Sequence, residues 1–216
     1  MKLSSIFLVC LLIVGCSIPR TPTAVDKYVP QPVEQSKTNS ALGLELLENS
    51  SLAIASITTS IEEGKELGDS FGGLGCRFNQ PGTYGISARN EGGFYGVYLG
   101  EDILIPKAIA TLKAHGLNLQ ANTAQDPFGT ATSDMLITAD ITDLSVWTCF
   151  VGIPAPKPLG RLSMKVSWRV FEVETRKLLL EFHTSSAVEA NEDRDVVMWL
   201  VLRALEDATK KFAQYL

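Results

Sequence analysis

Arg161-Leu162-Ser163-Met164-Lys165-Val166-Ser167-Trp168-Arg169-Val170 alternates without a break. Leu, Met, Val, Trp and Val occupy one parity, and Arg, Ser, Lys, Ser and Arg the other. Successive strand side chains point to opposite faces, so the stretch is a strand with one buried and one wet face. Glu174-Thr175-Arg176-Lys177 follows as a polar turn, and Leu178–Thr184 returns as its hairpin partner. Upstream, Asp134–Cys149 is a long run rich in β-branched residues, with Met135, Ile137, Ala139 and Ile141 on one face. The period then changes. Val197, Leu200, Val201, Ala204, Leu205, Ala208 and Phe212 recur at helical spacing, with Asn191 or Asp193 available as N-cap. Residues 103–115 form a second helical segment, in which Pro106 suits the first turn, Ile105, Ile109 and Leu112 share a face, and Gly116 suits the stop. The expected fold is α+β: a mixed or antiparallel sheet with two helices packed on it.

The weaker signals lie further out. Leu52–Thr59 reads as a first strand. Residues 64–100 hold most of the 17 glycines and read as loops, with short strands near Thr83–Ser87 and Phe94–Leu99; Leu117–Gln120 is a further short strand.

The amino terminus is of another kind. Met1-Lys2 precedes a ten-residue apolar run at 6–15 that ends at Cys16. Ten apolar residues span about 15 Å as a helix, half the hydrocarbon thickness, which fits a signal peptide and not a membrane anchor. Residues 17–41 carry Pro19, Pro22, Pro30 and Pro32 among polar side chains and show no apolar period. Such a stretch is a flexible spacer, reaching ~75 Å when extended. Leu42, Leu44, Leu46 and Leu47 stand at its end, where a short helix or edge segment could begin. The chain is therefore expected to divide into a signal at 1–15, a disordered Pro-rich tether over 16–48 that starts at Cys16, and an α+β domain over 49–216.

Composition narrows the functions. The chain has 216 residues, 19 Lys+Arg against 24 Asp+Glu, and a net charge of −5 that becomes −6 once Lys2 leaves with the signal. Phosphate binding needs clustered cations, so no nucleic-acid partner is expected. No spacing matches a metal or cofactor site. Gly68-Asp69-Ser70-Phe71-Gly72-Gly73 superficially resembles a serine-protease nucleophile loop, but Phe71 interrupts it and both histidines, His115 and His183, lie downstream. A turn or hairpin loop is the expected structure, and a noncatalytic protein the expected class. Cys76 and Cys149 remain after processing. In an oxidising compartment they are expected to pair, closing a loop whose constraint contributes about 4 kcal/mol; the alternative is two buried, unpaired thiols. Phe150-Val151-Gly152-Ile153-Pro154-Ala155-Pro156-Lys157-Pro158 is an apolar, stiff connection between two long strands. With Trp147 nearby, Phe150, Ile153, Pro154 and Pro156 are candidates for contacting a partner protein; the other role for them is to cover the end of the core.

Ile13-Val14-Gly15-Cys16 resembles the bacterial lipobox. The resemblance implies cleavage before Cys16, lipidation of its thiol and acylation of its new amino group, and several acyl chains give stable anchoring. Ser17 in place of Asp implies, by the enterobacterial sorting rule, an outer-membrane location facing the periplasm. The order of elements, carried by Asp134–Asp143, Lys165–Thr175 and the helix at 194–212, resembles a group of bacterial envelope lipoproteins. These are auxiliary lipoproteins of ABC-type lipid transport, curli-secretion-type lipoproteins and activators of penicillin-binding proteins. Where many of them carry Thr-Gly-Lys at the hairpin turn, this chain has Thr175-Arg176-Lys177. A second likeness, in Leu67–Cys76 and Ile141–Cys149, is to noncatalytic segments that precede some periplasmic serine proteases. The resemblance implies an adaptor or stabiliser of an envelope assembly, with an apolar-ligand or lipid carrier in a transport system as the alternative.

Overall fold

The computed structural model describes residues 50–73, 84–89, 96–120, 133–151, 157–190 and 196–216. Seven strands form one sheet: β1 (Leu52–Thr59), β2 (Glu66–Gly73), β3 (Tyr84–Arg89), β4 (Gly96–Tyr98), β5 (Met135–Val151), β6 (Lys157–Glu172) and β7 (Leu178–Ala190). The helices are α1 (Glu101–Ala114) and α2 (Val196–Tyr215). The expected α+β architecture with two helices is what the chain adopts.

β5 is the spine. β6 lies antiparallel along its whole length, from Met135 opposite Glu172 to Val151 opposite Lys157, and β7 extends the meander. The other edge of β5 is shared by two parallel strands. β1 pairs with its first half, Leu52 opposite Met135, and β2 with its second half, Gly68 opposite Val146. β3 adds to β2 antiparallel and β4 to β3 parallel. β7 is thirteen residues long, beyond the Leu178–Thr184 expected, because Ser186 and Val188 keep up the alternation opposite Met164 and Leu162.

The core lies between the sheet and the helices. Leu162, Met164, Val166, Trp168 and Val170 are all buried, as the alternation requires. On β5 the buried face runs Met135, Ile137, Ala139, Ile141 and then Leu144 and Val146, since a bulge between Ile141 and Asp143 shifts the parity. From α2, Leu200, Val201, Ala204, Leu205, Ala208 and Phe212 are buried to within 1% of full, while Val197 is only partly covered. Trp168 stacks on Phe212 with ring centroids 4.6 Å apart, and its indole N–H donates to Thr184 Oγ1 at 2.9 Å. That pairing lets a Trp be wholly enclosed without stranding its polar atom.

Three local expectations need correction. Gly68-Asp69-Ser70-Phe71-Gly72-Gly73 is strand, not turn, because β5 supplies a backbone partner for each residue. Gly68 has φ +152, and a Cβ there would strike the Val146 carbonyl oxygen, so the approach needs glycine. α1 begins at Glu101, which moves Pro106 from the first turn into the second; the chain keeps its helix because only one amide bond is forgone. Leu117–Gln120 makes a single bridge, Leu119 with Leu52, in place of a strand. The N-cap candidates Asn191 and Asp193 lie outside the described residues.

Candidate functional site

The long β5–β6 hairpin gives the domain two ends. At one end the chain enters through Ser50–Leu52, beside Asp134 and the turn at 173–177. There Ser51 donates to Asp134 Oδ2 through both its amide and its hydroxyl, each at 2.8 Å, and the Asp134 amide donates back to Ser51 Oγ at 3.0 Å. The backbone and side-chain bonds from Ser51 hold the Asp134 carboxyl below its ordinary range. The clamp fixes where the preceding residues reach the fold. The other end, where β5 turns into β6, lies about 50 Å away along a seventeen-residue strand rising ~3.3 Å per residue.

The sequence candidates distribute unevenly between these ends. Trp147 is half-buried on β5, in register with Arg161 of β6 and Asp69 of β2. Arg161 is paired with Glu189 at 2.8 Å. Phe150 and Pro158 face each other in the ladder, as do Val151 and Lys157, so the strands reach further into the Pro-rich stretch than its composition suggests. Proline is tolerated at a strand's beginning, where few ladder bonds are lost. The connection is thereby shortened to residues 152–156; Ile153, Pro154 and Pro156 fall there, outside the described residues. Cys149 is 1% exposed in the last turns of the ladder, and its sulfur is engaged and does not titrate as a free thiol. Cys16 and Cys76 lie outside the described residues. The first turns of α2 close this end: Val196 and Leu200 reach so near Gly160 that a Cβ there would lie 2.6 Å from each.

Polar groups elsewhere are used structurally. Ser70 accepts from Thr148 Oγ1 at 3.0 Å inside the sheet, which rules out the exposed nucleophile its sequence context superficially suggested. His115 caps α1, its Nδ1 2.9 Å from the Thr111 carbonyl. His183 is exposed on β7, opposite Ser167, which in turn sits opposite Asp140. In that row the hydroxyl lies between imidazole and carboxylate, whereas a nucleophilic relay needs the imidazole in the middle. Glu206 ties the helices together, accepting from Lys107 at 2.7 Å and Lys210 at 2.6 Å. These bonds pull its carboxyl down to about 2. Tyr98 donates to Asp102 at 2.7 Å, which raises the phenol above its usual value. Among the described residues no cluster of His, Cys, Asp or Glu could hold a metal ion, and no helix is long and apolar enough to cross a membrane.

Sequence reasoning missed the Ser51–Asp134 clamp and the partnership of β2 with β5. The clamp joins residues 83 apart and has no local signature. The β2 partnership had one, since Gly68, Gly72 and Gly73 permit close backbone approach.

No family model matches the chain, and no curated protein does. Among solved structures, the chain is similar to a Xanthomonas campestris protein of the DUF330 family at 10% identity and TM-score 0.41, covering 76% of this chain and 81% of that one. It is similar to the PelC dodecamer of Paraburkholderia phytofirmans at 10% identity and TM-score 0.40, covering 82% and 94%. A minor lipoprotein of Acinetobacter baumannii is matched at 9% identity and TM-score 0.29, over 74% of this chain and 90% of that one. These are partial likenesses of shape and say nothing of activity.

Proposed function

We propose that the protein is a noncatalytic bacterial envelope lipoprotein, anchored through Cys16 in the outer membrane and facing the periplasm, that docks on an envelope assembly as an adaptor or stabiliser. One observation carries the docking part: the clamped chain entry at Ser51 and the end of the β5–β6 hairpin stand at opposite ends of the domain. A lipid at Cys16 and a Pro-rich tether leading to the first end leave the second end free to meet a partner. Trp147, Phe150, Ile153, Pro154 and Pro156 gather there in the sequence, and a stiff Pro-rich connection loses little entropy on docking. A Cys76–Cys149 disulfide would pin the glycine-rich segment after β2 beside that end, and Phe71 already pairs with Cys149 in the ladder. The carrier reading requires an apolar cavity between sheet and helices, where the buried Trp168–Phe212 stack already fills part of the layer.

The test is a photo-reactive residue at position 153 in cells expressing the full-length protein. One specific envelope protein should be crosslinked, and replacing Trp147 or Phe150 by Ala should weaken the capture. Crosslinking to nothing, with free diffusion in the membrane, contradicts docking at this end.

A further inference from the structure

Cations on this domain meet carboxylates in two ways. On the face of the sheet away from the helices each has its own partner: Arg161 pairs with Glu189 at 2.8 Å, Lys165 with Asp143 at 3.0 Å and Arg169 with Glu181 at 2.9 Å. Lys211 on α2 likewise has Asp207, at 2.7 Å. On the solvent side of the helices three cations share one acid. Lys107 of α1 and Lys210 and Arg203 of α2 converge on Glu206, at 2.7, 2.6 and 3.6 Å. Each lysine spends one of its three N–H groups there, and the Arg203 contact is too long for a hydrogen bond, so Glu206 leaves its fork of donors unused. All three cations are a third to a half exposed. The acids at the start of α1 serve other partners: Glu101 accepts from the Ile57 amide and Asp102 from Tyr98. Three cations against one carboxylate leave this cluster two positive charges in excess, on a chain whose net charge is −5.

We infer that this face lies on an anionic phospholipid bilayer, with Lys107, Arg203 and Lys210 taking the headgroup phosphates. The side chains around the cations favour a lipid surface over a free anion. Trp199 lies under the Arg203 guanidinium, whose Cζ is 5.3 Å from the ring centroid. Met198, Leu202 and Glu206 follow one another at intervals of four, so two half-buried apolar side chains line up with the cluster. Cations interleaved with Trp, Met and Leu along one flank are the composition of a helix that rests in a membrane interface, where tryptophan prefers the headgroup level. Each cation at an anionic surface favours the bound state about five-fold, so an excess of two favours this orientation about thirty-fold. The remainder of the chain is acidic and is repelled, so charge selects the face. The choice of a bilayer rests on the Cys16 anchor proposed above, which keeps the domain within reach of headgroups. α2 runs along the strands, from Val196 and Leu200 beside Gly160 to Phe212 on Trp168. With this face down the long axis of the sheet follows the membrane, and the β5–β6 connection points sideways toward partners held in the same bilayer.

Hydroxyl-radical footprinting of the full lipidated chain in nanodiscs tests the contact, because Met198 and Trp199 are themselves oxidisable probes. Co-elution with phosphatidylcholine discs reports the anchor; a chain that does not co-elute contradicts the anchor, and the bilayer reading of this face falls with it. In phosphatidylglycerol discs Met198 and Trp199 should be oxidised about five-fold more slowly than in phosphatidylcholine discs, or slower still, with Trp147 unchanged. R203Q/K210Q, which leaves Lys107 on Glu206, should restore the phosphatidylcholine rate. R203E, a single change at an exposed side chain, should remove most of the protection without disturbing the fold. Equal rates in the two discs, or protection at Trp147 in place of Met198, overturn the inference. Protection by inorganic phosphate added to phosphatidylcholine discs assigns the cluster to a soluble anion, and protection in cell envelopes but not on discs assigns it to an acidic protein; either result overturns it too.

Discussion

β1 and β2 occupy the same edge of the same strand, run in the same direction, and are built on different principles. β1 holds to β5 with side chains: Leu52, Ile54 and Ile57 are buried between sheet and helices opposite Met135, Ile137 and Ala139. β2 holds with backbone. Its residues from Gly68 to Gly73 match Val146–Val151 one for one, and Gly68 sits where no side chain fits. A sheet can thus be extended by apolar area or by close main-chain approach, and only the first leaves a periodic trace in sequence.

The comparison is most sharply broken by a side chain at Gly68. Gly68→Val should cost about 4 kcal/mol or more, since Val146 cannot retreat without opening the β5–β6 ladder and φ +152 is disfavoured for valine. Denaturant unfolding checks it, and a near-neutral result would mean that β2 is not held by close backbone approach. The matching change on the other strand, Ile57→Ala, removes apolar contact without touching the backbone. It should cost about 3 kcal/mol in the same assay, the usual range for a fully buried Ile.

The β1 side has an additional tie, because α1 packs on β1 and is joined to α2 through Lys107–Glu206. The Glu206 carboxyl is held at about 2 in the fold against 4.5 when unfolded. A lowered value means stability that is complete above pH 4.5 and drains away as pH falls toward 2. After allowance for the part-exposed lysines, the contribution is about 2 kcal/mol. Glu206→Gln should therefore be less stable than wild type at pH 6, and the gap should close by pH 2; pH-resolved chemical denaturation reads it. The smallest effect belongs to the β6–β7 hairpin turn, which is part of neither strand. Arg176 adopts φ 57, a left-handed backbone that suits glycine. Arg176→Gly should raise stability by roughly 0.5 kcal/mol, seen as a small rise in Tm.

The same contrast explains what could be read from the residues alone. The strict alternation at 161–170 and the stripe from Leu200 to Phe212 are area-driven, and the structure buries them as expected. The glycine-rich strand was legible only as a loop, since its determinant is the absence of side chains. The bulge after Ile141 changes which parity faces inward, so Leu144 and Val146 continue a face that simple alternation assigns to Asp143 and Ser145. Leu136 escaped notice for a related reason: it is buried although it lies on the parity opposite to Met135 and Ile137, which alternation leaves to solvent. At the candidate site the apolar, proline-bearing stretch was visible in sequence, but the reach of the ladder to Val151 and Lys157 was not, because a proline at a strand's beginning is compatible with pairing.

The central claim, a body tethered by lipid at one end and presenting the other, is tested most directly by the intact mass of the protein isolated from its membrane. The expected species begins at Cys16 and carries a diacylglycerol and a further acyl chain. An unmodified Cys16, or a chain that retains residues 1–15, would contradict it.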